Sequence, residues 1–240
     1  MRPKIICHMV SSVDGRLDTD FYSLPFDGKD PDKVMDSYFT ISNDYQADAI
    51  LIGRKTVQQH YFTQTYQHTG SSAKSHETFI GNRDSKRLTI IIDPQGKILY
   101  TDNQADGENI VAILGEKVSE GYLAFLREKG ISYLFAGEDG RNIVGAMEIL
   151  GKDFGMKTVI LEGGGIINGT FLKAGLIDEL SLMIYPGIDG LSGRASIFEY
   201  LGENGELPAA GQSLEFISSE VLNDGIVRLQ YKFHRKQRDE

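Results

Sequence analysis

The composition of the chain excludes several classes of protein at the outset. Its 240 residues are 40% hydrophobic and 25% charged, which is typical of a soluble globular protein long enough to bury a substantial core. A formal net charge of −9 and a pI near 5.1 argue against general nucleic-acid binding, which requires a basic face. No apolar run approaches the length needed to cross a bilayer, so neither a nucleic acid nor a membrane is an expected partner.

Cysteine and histidine usage argues against a disulfide and against a metal site. The single Cys7 lies in an apolar run and is interpreted as a core residue, and it has no second cysteine to pair with. His8 alternates with core positions and is interpreted as a satisfied interior group. The five histidines are scattered, so no metal site is predicted. The first residues lead directly into a strand-like segment and not into a signal peptide, and we expect a cytoplasmic protein.

The first quarter of the chain alternates apolar runs with helical patterns. Residues 4–10 predict a buried strand, which is followed by a polar turn at 11–16. The prolines and aspartates of 21–31 predict a loop, and Asp30-Pro31-Asp32 predicts the start of a helix that runs to about Asp44. A continuous apolar run then predicts a central strand at 49–52, and a brief helix is predicted at 54–60.

The rest of the chain continues this alternation after a polar interruption. Residues 63–87 have few apolar anchors and predict a long loop or insertion. Predicted strands follow at 88–93, 110–114, 131–136, 158–161, 180–185, 213–222 and 226–234. Predicted helices lie at 119–129, 142–152 and 166–173, and the last of these ends at Gly175, a natural position for a left-handed terminator.

This order of elements predicts an α/β fold. Strands that alternate with helices are typical of a doubly wound, mostly parallel sheet flanked by helices, here as a single domain over residues 1–240. The sequence Asn223-Asp224-Gly225 separates the last two strands and is a hairpin turn signal. The C-terminal edge of the sheet is therefore expected to be antiparallel.

The most informative stretch is the glycine-rich turn at 161–169, which reads Leu-Glu-Gly-Gly-Gly-Ile-Ile-Asn-Gly. Glycines between a strand and a helix let a ligand approach the backbone, and the free N–H groups of the helix start attract phosphate. The stretch does not match a Walker A loop, because Thr170 follows Gly169 where lysine is needed, and Asn168 breaks the Rossmann glycine spacing. A tight turn without a ligand is the competing interpretation.

Three separated motifs together resemble a known family. They are Ser11-Ser12-Val13-Asp14-Gly15-Arg16, Gly53-Arg54-Lys55-Thr56-Val57, and the segment from Glu162 to Gly169 with its tail to Leu180. In set and order they resemble the reductase domain at the C-terminal end of the bifunctional riboflavin-biosynthesis deaminase/reductase. The resemblance covers nearly the whole chain except 63–87, and it implies a dihydrofolate-reductase-like fold and reduction of a ribosylaminopyrimidine phosphate.

The resemblance implies NADPH as the hydride donor. It places the pyrophosphate on the backbone of Gly163, Gly164, Gly165 and Ile166, with Gly169 close behind. It also implies contacts from Val10 on the nicotinamide side and from Gly53 and Thr56 on the other side of the cofactor. Arg54 (or Lys55) is the natural partner of a 2′-phosphate, because a guanidinium binds phosphate bidentately. If the family resemblance is set aside, Arg54 and Lys55 can also be interpreted as two solvated surface cations without a ligand.

Two carboxylates are candidates for the substrate side. Glu162 holds the position before the glycines from which the family contacts its substrate, and Asp14 is the second candidate. Asp14 is also interpretable as a turn residue that binds local backbone. The chain departs from the family where arginines would hold the substrate phosphate: it has Asn43-Asp44-Tyr45 before the second motif, and no arginine between Arg54 and Arg83 after it.

These departures leave the substrate open. A reductase acting on a dihydrofolate- or pterin-like C=N bond is the second enzyme hypothesis, and an NADPH-binding module without turnover is the third. The first two predict a small heterocyclic substrate. A homodimer is expected because relatives of this type pair through the edge of the sheet.

Overall fold

A computed structural model of the chain describes residues 1–26, 32–68 and 70–236. In chain order the strands and α-helices are β1 (Lys4–Ser11), α1 (Asp32–Asp44), β2 (Ala49–Gly53), α2 (Arg54–His60), β3 (Leu88–Ile92), β4 (Gln104–Ala105), β5 (Glu108–Leu114), α3 (Glu120–Lys129), β6 (Ser132–Phe135), α4 (Ile143–Asp153), β7 (Thr158–Leu161), α5 (Gly165–Lys173), β8 (Glu179–Ile184), β9 (Gln212–Val221) and β10 (Val227–Arg235). Single 3₁₀ turns lie at Thr19–Phe21 and Asn223–Gly225.

The chain forms two compact units. The first comprises Met1–Pro3 and Ala47–Val159, and the second comprises Lys4–Gln46 and Ile160–Glu240. The chain passes from the first unit to the second within β7.

The first unit is built on parallel strands. Here β2 pairs with β3, β3 with β5, and β5 with β6, all in parallel, while the short β4 pairs antiparallel with β5. All five residues of β3 are buried, so its apolar run does not alternate, which is typical of a strand covered on both faces. Large aromatic side chains fill the core beside these strands, with Tyr100 and Tyr122 at most 1% exposed.

The second unit combines a parallel and an antiparallel part. Strand β1 pairs in parallel with β8, β8 pairs antiparallel with β10, and β10 pairs antiparallel with β9. Its core includes Val10, Tyr38, Met183, Tyr185 and Ile226. Cys7 and His8 are 0% exposed, which confirms both as interior residues, and burial raises the pKa of the Cys7 thiol. The predicted α/β class with a mainly parallel sheet and an antiparallel C-terminal edge is confirmed.

Helix ends follow local chemistry that the sequence displays. Ser119 and Asn142 are N-caps that accept hydrogen bonds from the N–H groups of Tyr122 and Gly145, so α3 and α4 each begin one residue later than predicted. Gly175 has φ +63° just after α5, as expected of a helix terminator.

The structure differs from the prediction at β4, and the predicted start of α1 lies outside the described residues. The two-residue β4 was not predicted, because so short a strand has no periodic signal. The expected helix start at Asp30 and Pro31 lies outside the described residues, and α1 is described from Asp32. The described part of 63–87 forms no helix or extended strand and is connected to the rest of the first unit by isolated bridges at Thr65, Ser72 and Phe79. Within the described ranges, no helix is both long and apolar enough to cross a membrane.

Candidate functional site

The glycine-rich turn joins β7 to α5 in the second unit. Gly163 has φ +65°, which lies in the left-handed region that favours glycine, and Gly164 is the N-cap of α5. The described part of the chain provides no side-chain cap for this helix. Because the first N–H groups of any α-helix lack intrahelical partners, the start of α5 is a competent anion site.

Packing within the second unit explains three of the four glycines. A side chain at Gly163 would meet the amide of Asn168 at 2.6 Å. A side chain at Gly165 would come within 2.2 Å of the Ser196 carbonyl, and one at Gly169 within 2.2 Å of the Glu199 carbonyl. The segment 196–199 therefore lies directly against α5, and the Glu199 N–H donates to the Gly165 carbonyl over 2.9 Å.

Gly164 differs from these three glycines. A β-carbon built at Gly164 would have no described atom within 4 Å apart from its chain neighbours. Among these four glycines, Gly164 is the position where a ligand has room to reach the backbone. The predicted cofactor contacts of Gly163, Gly165, Ile166 and Gly169 stay predictions. The three glycines among them are also required by packing, whether or not a ligand binds.

Glu162 follows β7 directly and is held by a residue of α1. The Ser42 hydroxyl donates to Glu162 Oε1 over 2.8 Å, and Ser42 is 2% exposed. Glu162 itself is partly exposed. The carboxylate thus combines access with a fixed orientation, as a group that binds a substrate requires.

Asp14 is engaged with its own turn and with the loop after β8. Its carboxylate accepts from the Ser12 hydroxyl at 2.6 Å and from the N–H groups of Asp189 at 3.2 Å and Gly190 at 2.9 Å. The Ser12 hydrogen bond and these N–H donors lower the pKa of Asp14 to about 2. The lowered pKa favours the ionised form of Asp14 near neutral pH. This geometry supports a role in holding the 189–190 loop.

Val10 lies near the end of β1, opposite Met183 of β8. Its side chain is 9% exposed and packs in the core of the second unit. Any contact between Val10 and a cofactor would therefore be made by the backbone atoms of Val10.

The second motif lies in the first unit, at the carboxyl end of β2. Gly53 is the N-cap of α2 with φ −85°, an extended conformation open to any residue, and Thr56 lies in the first turn of α2. The Arg54 guanidinium donates from Nη1 to Gln58 Oε1 at 2.5 Å. Lys55 is exposed. Arg54 is thus tethered along its own helix.

Asp93 is a partner of Arg54 that the sequence argument missed. Its side chain is 0% exposed, with Oδ1 3.5 Å from Arg54 Nε and Oδ2 accepting from the Ile98 N–H at 2.9 Å. Burial raises the pKa of Asp93, while the Ile98 N–H and the charge of Arg54 oppose that rise. The signal that could have indicated it is an acidic residue between a run of three isoleucines and Pro94.

No cluster of three metal-ligating side chains occurs in the described ranges. The expectation that this protein has no metal site stays a prediction.

Comparison with known families identifies the class of protein. A family model described as the RibD C-terminal domain matches residues 3–228. The chain belongs to the RibD C-terminal domain family, in agreement with the reductase resemblance of its three motifs.

Solved structures share the fold at low sequence identity. A pyrimidine reductase-like protein from Corynebacterium diphtheriae has a TM-score of 0.67 at 15% identity, with 98% of this chain and 93% of that chain covered. RibD of Acinetobacter baumannii has a TM-score of 0.63 at 18% identity, with 97% and 58% covered. The riboflavin biosynthesis reductase Rib7 of Saccharomyces cerevisia has a TM-score of 0.56 at 14% identity, with 97% and 90% covered. The chain therefore spans 58% of the length of the Acinetobacter protein.

Proposed function

We propose that the protein is an NADPH-dependent reductase that acts on a ribosylaminopyrimidine phosphate of the 5-amino-6-(5-phosphoribosylamino)uracil type. The single observation that carries this proposal is the family match over residues 3–228. The open Gly164 position at the start of α5 and the held carboxylate of Glu162 support it. When bound, NADPH would supply the hydride that reduces C1 of the ring-opened ribosyl group to give a ribityl chain.

The chain's own groups bind the cofactor through its phosphates. The backbone of Gly163, Gly164, Gly165 and Ile166 would hold the pyrophosphate at the positive end of the α5 dipole, with Gly169 behind them. Arg54, whose Nε and Nη1 are engaged by Asp93 and Gln58, offers its remaining N–H groups to the 2′-phosphate. Gly53, Thr56 and the backbone of Val10 complete the set that we assign to the cofactor.

On the substrate side we assign the contact to Glu162. The carboxyl oxygens of Glu162 accept hydrogen bonds from the hydroxyl or amino groups of the substrate and so orient the reacting carbon. Asp14 contributes through the loop that it anchors at Asp189 and Gly190. The proton that completes the reduction is delivered by a carboxylic acid or by water. The hydrogen bonds that lower the pKa of Asp14 argue against Asp14 in that role.

The second candidate is an NADPH-binding module without turnover. The observation that favours it is the absence from the sequence of arginines at Asn43-Asp44-Tyr45 and between Arg54 and Arg83. A dihydrofolate- or pterin-like substrate is the remaining enzyme alternative, since such a ring needs no phosphate site.

The cofactor is tested by calorimetric titration with NADPH and, separately, with NADH. Tight NADPH binding with much weaker NADH binding supports the assignment, and absence of binding by both contradicts it. Oxidation of NADPH is then followed with the ribosylaminopyrimidine phosphate and with dihydrofolate. Turnover of the pyrimidine supports the first proposal, turnover of dihydrofolate alone supports the alternative, and binding without turnover supports the module.

We also propose a cytoplasmic homodimer that forms through β9 and β10. A bulge at Ile217 keeps Leu214, Phe216 and Val221 on one face of β9, and their exposed fractions are 49%, 57% and 78%. This apolar face is of the kind that protein interfaces cover, and β9 ends the strand order with an unpaired edge in the part of the chain that is described.

A further inference from the structure

Helix α1 carries a row of polar side chains that are bonded within the second unit. Tyr38 and Ser42 are four residues apart and share one face of α1, and Tyr45 follows directly after Asp44, the last residue of the helix. Tyr38 bonds to His8 of β1, Ser42 to Glu162 after β7, and the Tyr45 hydroxyl accepts from Arg228 Nη2 of β10 over 2.8 Å. The position of α1 is therefore determined by three separate polar contacts.

The contact between Tyr38 and His8 fixes α1 against β1. The two rings stack with centroids 4.3 Å apart, and the Tyr38 hydroxyl donates to the His8 carbonyl over 3.0 Å. His8 Nε2 donates to the Tyr38 carbonyl over 3.1 Å, because a carbonyl only accepts. His8 Nδ1 consequently accepts from the Ser181 hydroxyl at 3.0 Å. This network leaves α1 little freedom to rotate or slide at Ser42, one turn further along.

Ser42 transmits that rigidity to Glu162. Ser42 is 2% exposed, so bulk water cannot replace the Glu162 carboxylate as the hydrogen-bond acceptor of its hydroxyl. The 2.8 Å hydrogen bond ties one carboxylate oxygen of Glu162 to the helix. This bond crosses from α1 to the residue that follows β7, so it is one of the contacts that set the direction of the Glu162 side chain.

We propose that Ser42 is a positioning residue that holds the Glu162 carboxylate in the orientation needed for the substrate. This proposal rests on the proposed function, in which Glu162 is the substrate-side carboxylate. Ser42 itself does not touch the substrate or the cofactor. Its role is to make the carboxylate a preorganised acceptor, which a freely rotating glutamate is not.

The test compares Ser42→Ala, Ser42→Thr and a matched control on the same helix. Thr40 is exposed, and its hydroxyl donates only to the Asp36 carbonyl one turn earlier, so Thr40→Ala removes a helical hydroxyl without reaching Glu162. We expect Ser42→Ala to lower kcat/KM for the pyrimidine by about tenfold or more, with the NADPH Kd unchanged. Ser42→Thr, which keeps the hydroxyl, recovers most of this loss, and Thr40→Ala retains the activity of the parent protein.

A double-mutant cycle shows whether Ser42 acts through Glu162. In a Glu162→Ala background, Ser42→Ala is expected to cause no further loss in kcat/KM. Independent, multiplicative losses would overturn the proposal, and so would a loss in Thr40→Ala as large as that in Ser42→Ala.

A spectroscopic measurement separates this proposal from the proposed function. In protein labelled at the glutamate carboxyl carbons, the Glu162 resonance is assigned by its disappearance in Glu162→Ala. We expect this resonance to shift in Ser42→Ala and to return in Ser42→Thr, whether or not the parent protein turns over the pyrimidine. If the Glu162 resonance does not shift in Ser42→Ala, the proposal that Ser42 positions Glu162 is overturned. If the resonance shifts but the parent protein does not turn over the pyrimidine, only the proposed function is overturned.

Discussion

At the scale of single residues, Gly164 is the position where a substitution should weaken ligand binding without disturbing the fold. Because a side chain at Gly164 meets no described atom, we predict that Gly164→Asp folds normally. The added carboxylate would face the pyrophosphate at the start of α5, so NADPH affinity should fall by about 100-fold or more. Calorimetric titration measures the affinity, and thermal unfolding measures the stability. An unchanged NADPH affinity would contradict the placement of the cofactor.

The neighbouring Gly165 supplies the control for this prediction. Its β-carbon would lie 2.2 Å from the Ser196 carbonyl, so Gly165→Ala should lower the melting temperature through overpacking. If Gly165→Ala were as stable as the parent protein, the packing argument for this glycine would fail.

His8 gives a pH dependence of stability. Burial, which is the largest cause, lowers the pKa of His8 from 6.5 to about 4, so the unfolded chain takes up a proton before the folded protein does. Stability is therefore fully present above about pH 6.5 and is lost as the pH falls toward 4, by about 3 kcal/mol in total at 1.36 kcal/mol per pKa unit. Urea unfolding across this range measures the loss.

The matched variant for that measurement is His8→Gln, which cannot titrate. It should show a flatter dependence of the unfolding free energy between pH 6.5 and 4. Asp14 does not affect this comparison, because its pKa is lowered from 3.8 to about 2. Its contribution to the unfolding free energy is lost only as the pH falls from about 3.8 to 2, below the range measured. The same slope in both proteins would exclude His8 as the source.

At the scale of elements, α2 is expected to decide between the two nicotinamide cofactors. Arg54 lies in its first turn with two nitrogens already engaged by Asp93 and Gln58, which preorients the guanidinium. We predict that Arg54→Ala weakens NADPH about tenfold or more and leaves NADH nearly unchanged, because only NADPH carries the 2′-phosphate. Titration with both cofactors checks this.

Lys55 provides the comparison on the same helix. It is exposed, so Lys55→Ala should affect both cofactors little. A selective loss of NADPH affinity in Lys55→Ala and not in Arg54→Ala would transfer the 2′-phosphate role to Lys55.

The elements themselves were largely predictable, and their long-range contacts were not. Continuous apolar runs such as β2 and capping residues such as Ser119 carry local signals that place strands and helix ends within a residue or two. The bond between Ser42 and Glu162 joins residues 120 positions apart, and no local pattern reports it. The same holds for the packing of 196–199 on α5, which no local pattern around the glycines reports.

At the scale of the whole molecule, the exposed face of β9 is expected to join two copies of the chain. Phe216, 57% exposed, packs against Tyr231 with ring centroids 5.8 Å apart and lies on the apolar face with Leu214 and Val221. We predict that Phe216→Lys converts a dimer to a monomer, because a buried unpaired charge is costly at an interface. Sedimentation or light scattering measures the mass.

The control for the assembly is an exposed apolar residue elsewhere. Val144 of α4 is 44% exposed, and Val144→Lys should leave the mass in solution unchanged. A monomeric parent protein, or a dimer that survives Phe216→Lys, would contradict the β9 interface.

Because 196–199 packs against α5, most glycines of the glycine-rich turn do not by themselves indicate cofactor binding in a related sequence. A relative that had abandoned the cofactor but kept this loop would still need glycine at the positions of Gly165 and Gly169, where the loop backbone occupies the space of a side chain. It would also keep Gly163, which needs its positive φ. Only the position of Gly164 would be released to vary. Loss of that single glycine, within an otherwise intact run, would then mark a homologue that no longer holds a nucleotide.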